Sequence, residues 1–331
     1  MNSLGEIRQL RGPILRSVSR SFYLSIRLLP KELRDPIALA YLLARATDTI
    51  ADTSEISAEL RAAELTKLAG CIQGEEANGD SLESFVALQK NEAERTLIQA
   101  VPSALAWLRA MPGDDRSDIT AVLAKINQGQ RLDVLRFADP SRITALQAAT
   151  ELNFYTFLVA GCVGEFWTNI GFRHLPQFAT RPAQEMVSLG VDYGKGLQLI
   201  NILRDLGADL RAGRCYLPSE QLESLGVSPS EIMREPSRAL PIVNTWLERA
   251  ERGIEAGIEY ACALRAPRVR IATALPALIG ARTLAQLRAA GTEIFARKIK
   301  ISRGEVRKIL SKTLLNFGSP SFLRAEFETT R

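Results

Sequence analysis

Residues 196–218 read GLQLINILRDLGADLRAGRCYLP. Apolar residues recur at three- and four-residue spacing through most of this stretch, so it reads as the end of a buried helix. Yet Asn201, Asp205 and Asp209 stand at intervals of four along it. At roughly 100° of rotation per residue, Gln198, Asp205 and Asp209 fall within an arc of about 40°, with Asn201 beside it. A polar stripe therefore runs down a helix that is otherwise apolar. Two carboxylates at this spacing repel by about 0.2–0.5 kcal/mol on an exposed helix, and by more where water is excluded. The pattern calls for positive charge between them.

A second stripe lies upstream in ALAYLLARATDTIADT, residues 38–53, where Asp48 and Asp52 again stand four apart and Arg45 precedes them. Arg204 plays the same part beside Asp205. Paired aspartates on a solvated helix face are common. Here, however, each pair sits in an apolar helix poor in Lys and Glu, and aspartate is a mediocre helix former. If two such helices face each other, four carboxylates converge. Oxygen ligands of that kind suit Mg²⁺, which takes one or two carboxylates and completes its shell with water and substrate phosphates. Arginines close by would grip the same phosphates through bidentate hydrogen bonds. The stripes point to a diphosphate site.

Helical periodicity extends through DPIALAYLLARATDTI, ITAVLAKINQGQRLDVLRF, VNTWLERAERGIEAGIEYACAL and ARTLAQLRAAGTEIFA, and no run of alternating β-branched residues stands against it. The expected fold is all-α, with roughly ten helices in one domain spanning 1–331. Breaks fall at Pro30, at residues 111–115 (MPGDD), at Asp139-Pro140, at residues 173–182 and at Ala266-Pro267. Ser228-Pro229-Ser230-Glu231 has the pattern of a capping box with proline at the first helical position.

Composition excludes several classes. The chain has 331 residues, 46% hydrophobic and 24% charged, as expected of a globular protein with a sizeable core. A net charge of +5 without zinc-finger spacing or an aromatic-basic motif gives no case for nucleic acid, and suits phosphorylated substrates or anionic lipid equally. The four cysteines, Cys71, Cys162, Cys215 and Cys262, form no CxxC pair, which argues for a reducing, cytoplasmic setting without structural zinc. The single histidine, His174, lies in the turn-like RHLPQ, so neither a His-based triad nor a multi-histidine metal site is expected. The scattered charges of residues 1–20 do not read as a signal peptide, and no apolar run reaches the length of a membrane span.

Four motifs in order carry a resemblance to the squalene/phytoene synthase family over roughly residues 15–300, leaving a tail at 301–331. They are Ser19-Arg20-Ser21-Phe22, YLLARATDTIAD from Tyr41 to Asp52, YTFLVAGCVG from Tyr155 to Gly164, and Gln198 through Asp209 followed by Arg214-Cys215-Tyr216-Leu217-Pro218. The resemblance implies an isoprenoid-synthase helical bundle around a central cavity, and Mg²⁺-dependent head-to-head condensation of two prenyl diphosphates. It implies metal binding by Asp48, Asp52, Asp205 and Asp209. It implies diphosphate binding by Arg20, Arg45 and Arg204, with Ser19, Ser21 and Phe22 beside them. Gln198 and Asn201 would line the cavity or assist metal and diphosphate binding. Tyr155 would serve the first half-reaction and Tyr41 would lie near the diphosphates. Small residues at Val159-Ala160-Gly161 and Val163-Gly164 have two readings: close helix packing, or room for a prenyl chain, the second being the better account beside the other motifs.

The implied chemistry has one allylic diphosphate ionising, the second substrate's double bond attacking, and proton loss leaving a cyclopropyl diphosphate. A second ionisation then ends either in hydride from NADPH, giving squalene, or in proton loss, giving phytoene or dehydrosqualene. The threonine in ATDTIAD is more like the squalene synthases. Residues 298–304, KIKISRG, resemble their NADPH-binding segment, which would give Lys300 and Arg303 to that cofactor. The expected substrate is thus two farnesyl diphosphates with inorganic diphosphate released. A phytoene-type enzyme, an enzyme stopping at presqualene diphosphate, and a non-catalytic lipid-binding member of the fold are the alternatives. Peripheral membrane contact is expected from greasy substrates. The arginine-rich stretch 264–290 either supplies it or buries its apolar face under a solvated arginine stripe.

Overall fold

The computed structural model describes residues 3–19, 22–75 and 82–330. It groups the chain into two compact units, Met1–Ala138 with Asn169–Leu175, and Asp139–Thr168 with Pro176–Arg331.

The first unit is helical. α1 (Lys31–Asp52) starts after Pro30 and buries Leu33, Ile37, Leu39, Leu42, Leu43, Ala46 and Ile50 around most of its circumference. Those positions follow the three- and four-residue repeat of its sequence. α2 (Ala58–Gln73) is capped at its start by the Ser57 hydroxyl, which accepts from the Leu60 N–H, and ends at Gly74 in the left-handed conformation. α3 (Glu92–Gln99) is capped by Asn91, and α4 (Gly113–Arg136) begins after Pro112. The expected breaks at Pro30 and MPGDD are therefore helix starts.

In the second unit, a helix at Ala149–Thr156 widens into a π-helical turn at Phe157–Gly161 before α5 (Cys162–His174), whose residues from Asn169 on belong to the first unit, continues it. α6 (Ala183–Arg211) is the longest helix among the described residues and is buried along much of its length, from Met186 to Leu210. α7 (Pro236–Ala263) and α8 (Pro267–Ala290) follow, then α9 (Arg303–Leu315) and α10 (Pro320–Glu328).

The all-α expectation holds, with one small addition. β1 (Thr144–Leu146) and β2 (Arg214–Pro218) pair in parallel as a two-stranded sheet. Three further expectations are corrected. The Ser228 bonds to Glu231 do form, but turns follow and the helix starts only at Pro236. His174 ends α5 and bonds to the buried Asp115 through Nε2 at 2.8 Å. Eighteen α-helical segments are present among the described residues, more than the ten expected, because many short ones flank the long ones.

α8 settles the two readings of the arginine-rich stretch. Val269, Ile271, Leu275, Leu278, Leu284 and Leu287 are all buried. Three of its four arginines bond within the protein: Arg270 donates to the Leu264 carbonyl, Arg282 pairs with Glu305 and Arg288 with Glu251. This helix presents no apolar face to a bilayer. Among the described residues no helix is long and apolar enough to cross a membrane. The four cysteines are free.

Candidate active site

In the first unit, Asp48 and Asp52 lie in the last two turns of α1. The Arg45 guanidinium forks, one nitrogen bonding to Asp48 and the other to Glu94 Oε1 on α3 at 2.5 Å. Burial and the neighbouring Asp52 charge push the Asp48 carboxyl up to about 6, against the pull of Arg45. Tyr41 donates its hydroxyl to the Val18 carbonyl at 3.1 Å, and its ring meets Phe22 at 5.1 Å. Ser19 is buried and bonds to the Leu15 carbonyl of its own helix. Arg20 and Ser21 lie outside the described residues.

The second unit holds the other pair on α6. Asp205 accepts from Arg204 Nη2 at 2.8 Å and from Lys298 Nζ at 2.5 Å. Burial alone would raise its carboxyl, but those two cations outweigh it and hold the group below its ordinary value. Asp209 is more buried. Burial pushes it up to about 6, although Arg214 Nη2 sits 2.8 Å away. Adjacent members of one stripe thus differ in basicity because they differ in burial and cation contact. Gln198 and Asn201 bond to each other at 3.3 Å on the same helix.

β2 lies beside the α6 pair. Gly213 takes φ +80°, a backbone state that favours glycine, and turns the chain from α6 into the strand; a Cβ there would lie 2.9 Å from the Arg142 carbonyl oxygen. Alternate strand residues share a face. Arg214 reaches Asp209, and Tyr216 stacks on Tyr155 with ring centroids 5.3 Å apart. Tyr155 itself stands just before the π-helical turn, a distortion that frequently marks functional positions.

Several small residues are spent on packing. A Cβ on Gly164 would lie 1.9 Å from the Gly190 carbonyl oxygen of α6, and one on Gly194 would lie 2.3 Å from that of Ala160. Gly161 is buried against Lys195, Phe157 and Val191, and Val159 is half-buried. Close helix packing is thus the role seen at Gly164 and Ala160.

In the segment 298–304, Lys298 pairs with Asp205, Ile299 is buried, and Lys300 and Arg303 are exposed. Ser302 caps α9 in a capping box with Glu305. Arg214 and Lys298 as partners of the aspartates, and Glu94 as the second partner of Arg45, escaped sequence reasoning in this role. Arg214 and Lys298 carried a signal, their places in the quoted RCYLP and KIKISRG stretches; Glu94 carried none.

No group of three or more His, Cys, Asp or Glu side chains gathers as a metal cluster among the described residues. Each unit instead offers a pair of carboxylates with an arginine bonded to at least one of them. That donor set fits Mg²⁺ arriving with a diphosphate, which needs only one or two protein carboxylates.

Residues 15–305 match the family described as squalene/phytoene synthase. The chain belongs to that family. It is 27% identical over 228 residues to the bifunctional lycopene cyclase/phytoene synthase of Phaeosphaeria nodorum, covering 68% of this chain and 36% of that protein. The match spans little more than a third of that relative's length. It is 28% identical over 227 residues to the phytoene synthase of Mycobacterium bovis, covering 69% of this chain and 62% of the relative. The fold is similar to that of TcSQS solved in complex with the ligand E5700, with a TM-score of 0.79 at 21% identity, over 99% of this chain and 90% of the other.

Proposed function

We propose that this protein is a Mg²⁺-dependent prenyltransferase that joins two prenyl diphosphates head to head. The observation that carries the reading is the pair of aspartate stripes, each set in a mostly apolar helix and each bound to side-chain cations. A lipid-binding scaffold has no use for mutually repelling carboxylates. Asp48, Asp52, Asp205 and Asp209 would hold Mg²⁺, which supplies electrophilic stabilisation of the departing diphosphate. Arg45, Arg204 and Lys298 would bind diphosphate oxygens by charge-assisted hydrogen bonds. Tyr155, fixed against Tyr216, would place an aromatic face beside a developing allylic cation. The second substrate's double bond attacks that cation, and loss of a proton leaves a cyclopropyl diphosphate.

Two endings follow. In the first, two farnesyl diphosphates pass through presqualene diphosphate to squalene, with hydride from NADPH. The ATDTIAD motif supports it, and the exposed Lys300 and Arg303 suit the cofactor's phosphates. That segment offers cations without an aromatic ring to stack a base. In the second, proton loss ends the reaction in a phytoene-type hydrocarbon. The names of the curated relatives support it.

Incubation with farnesyl or geranylgeranyl diphosphate and Mg²⁺, with and without NADPH, followed by mass spectrometry of the hydrocarbon, decides between them. Squalene formed only with NADPH supports the first ending. A conjugated hydrocarbon formed regardless of NADPH supports the second, and no coupled product under any condition overturns the proposal. A thermal-shift assay separates enzyme from scaffold: the enzyme gains Mg²⁺-dependent stabilisation from a non-ionising diphosphate analogue, the scaffold none.

A further inference from the structure

α8 is too buried to meet a membrane, but α9 has an outward face of a different kind. Leu315 is 78% exposed and Phe317 76%, the highest values among the large apolar side chains, and Leu314 is exposed beside them. Ile309 and Thr313 point inward. At roughly 100° per residue, the exposed Arg303, Arg307, Lys308, Ser311, Leu314 and Leu315 occupy one arc of about 140°. Three cations and no carboxylate lie in that arc. Glu305, the helix's own acid, falls outside it, where it completes the cap at Ser302 and pairs with Arg282.

The turn after α9 adds a second observation. Phe317 takes φ 49°, the left-handed conformation that normally falls to glycine or asparagine after a helix. A bulky residue there costs stability, and burial gives nothing back, since the ring faces solvent. Strain kept at an exposed aromatic points to something outside the fold.

We propose that this face is an interfacial contact for an anionic lipid bilayer. Leu314, Leu315 and Phe317 enter the boundary between headgroups and acyl chains, and Arg303, Arg307 and Lys308 lie against the headgroups. Charge complementarity selects this occupant. A second copy docked two-fold on the same face would set three cations against three cations. Arg303 is shared with the cofactor in the squalene ending, so the test rests on Arg307 and Lys308, which the proposed reaction does not use.

The test is sedimentation of the full chain with vesicles of phosphatidylglycerol and phosphatidylcholine, against phosphatidylcholine alone, at low and high salt. The wild type should sediment with the anionic vesicles and lose that binding as salt rises. Leu315→Ser with Phe317→Asn should abolish it without lowering thermal stability, since asparagine accepts the left-handed state. Arg307→Gln with Lys308→Gln, both exposed and harmless to the core, should weaken it by roughly fivefold for each cation removed. The proposal is overturned if the wild type stays in the supernatant with anionic vesicles, or if both double variants bind as it does. It is equally overturned if the apolar tip only dimerises the protein, shown by light scattering as a dimer that the first variant dissolves without any vesicle binding.

Discussion

Arg45 makes two contacts that one ammonium would not reproduce, to Asp48 on its own helix and to Glu94 on α3. The planar fork fixes Asp48 from one side and ties two helices together. Arg45→Lys should therefore lower turnover by roughly 10- to 100-fold, the scale of a small misplacement at a reacting centre. Steady-state kinetics beside a circular dichroism melt would separate that loss from unfolding. Glu94→Gln should weaken the same fork from its other end and give a smaller loss in the same assay. The aspartates themselves were legible in the sequence, because their spacing follows the helical repeat. Arg45 and Arg204 were legible beside them, but the distant contacts were not: Glu94 lies 49 positions from Arg45, and only the folded chain brings Lys298 to Asp205.

At the scale of elements, the α5–α6 contact depends on backbones that nearly touch. Gly164→Ala would place a Cβ 1.9 Å from the Gly190 carbonyl oxygen, so the two helices must separate. Overpacking of this kind costs about 1–3 kcal/mol. Urea denaturation should show that loss with an unchanged slope, and Gly12→Ala, which meets nothing within 4 Å, should not.

Glu259 on α7 binds Arg324 of α10 and Arg181. The Arg324 hydrogen bond, with Arg181 adding to it, holds the carboxyl below its ordinary 4.5. A depressed carboxylate stabilises the fold fully above about pH 4.5, and loses that contribution as the pH falls through the folded value. Glu259→Gln should thus cost about 1 kcal/mol or less at pH 7, and nothing once the pH is below the folded value. Melts across that range check it.

Long periodic helices were readable from pattern alone, whereas β2 was not. Its five residues gain their strand geometry from pairing with β1, some 70 positions earlier, and a local pattern holds no trace of such pairing. The cap at Ser228 failed for a related reason: its local bonds form, but the turns that follow displace the helix start to Pro236.

For the whole molecule, family membership emerged from four ordered motifs and the all-α architecture from helical periodicity, and residues 15–305 match that family. Composition alone stopped at a globular protein with a modest positive charge. The assignment of α8 shows the limit of amphipathic pattern: arginines spaced along an apolar helix fit both a membrane face and a core helix, and tertiary burial decided for the core. The central claim is that both aspartate stripes ionise prenyl diphosphates with Mg²⁺. Diphosphate release from farnesyl diphosphate, measured for the wild type, Asp48→Asn and Asp205→Asn with and without Mg²⁺, tests it most directly. The expected result is Mg²⁺-dependent release by the wild type and a loss of at least about 100-fold in either variant, with helical content unchanged. Release that needs no Mg²⁺, or near-normal release by either variant, would contradict it.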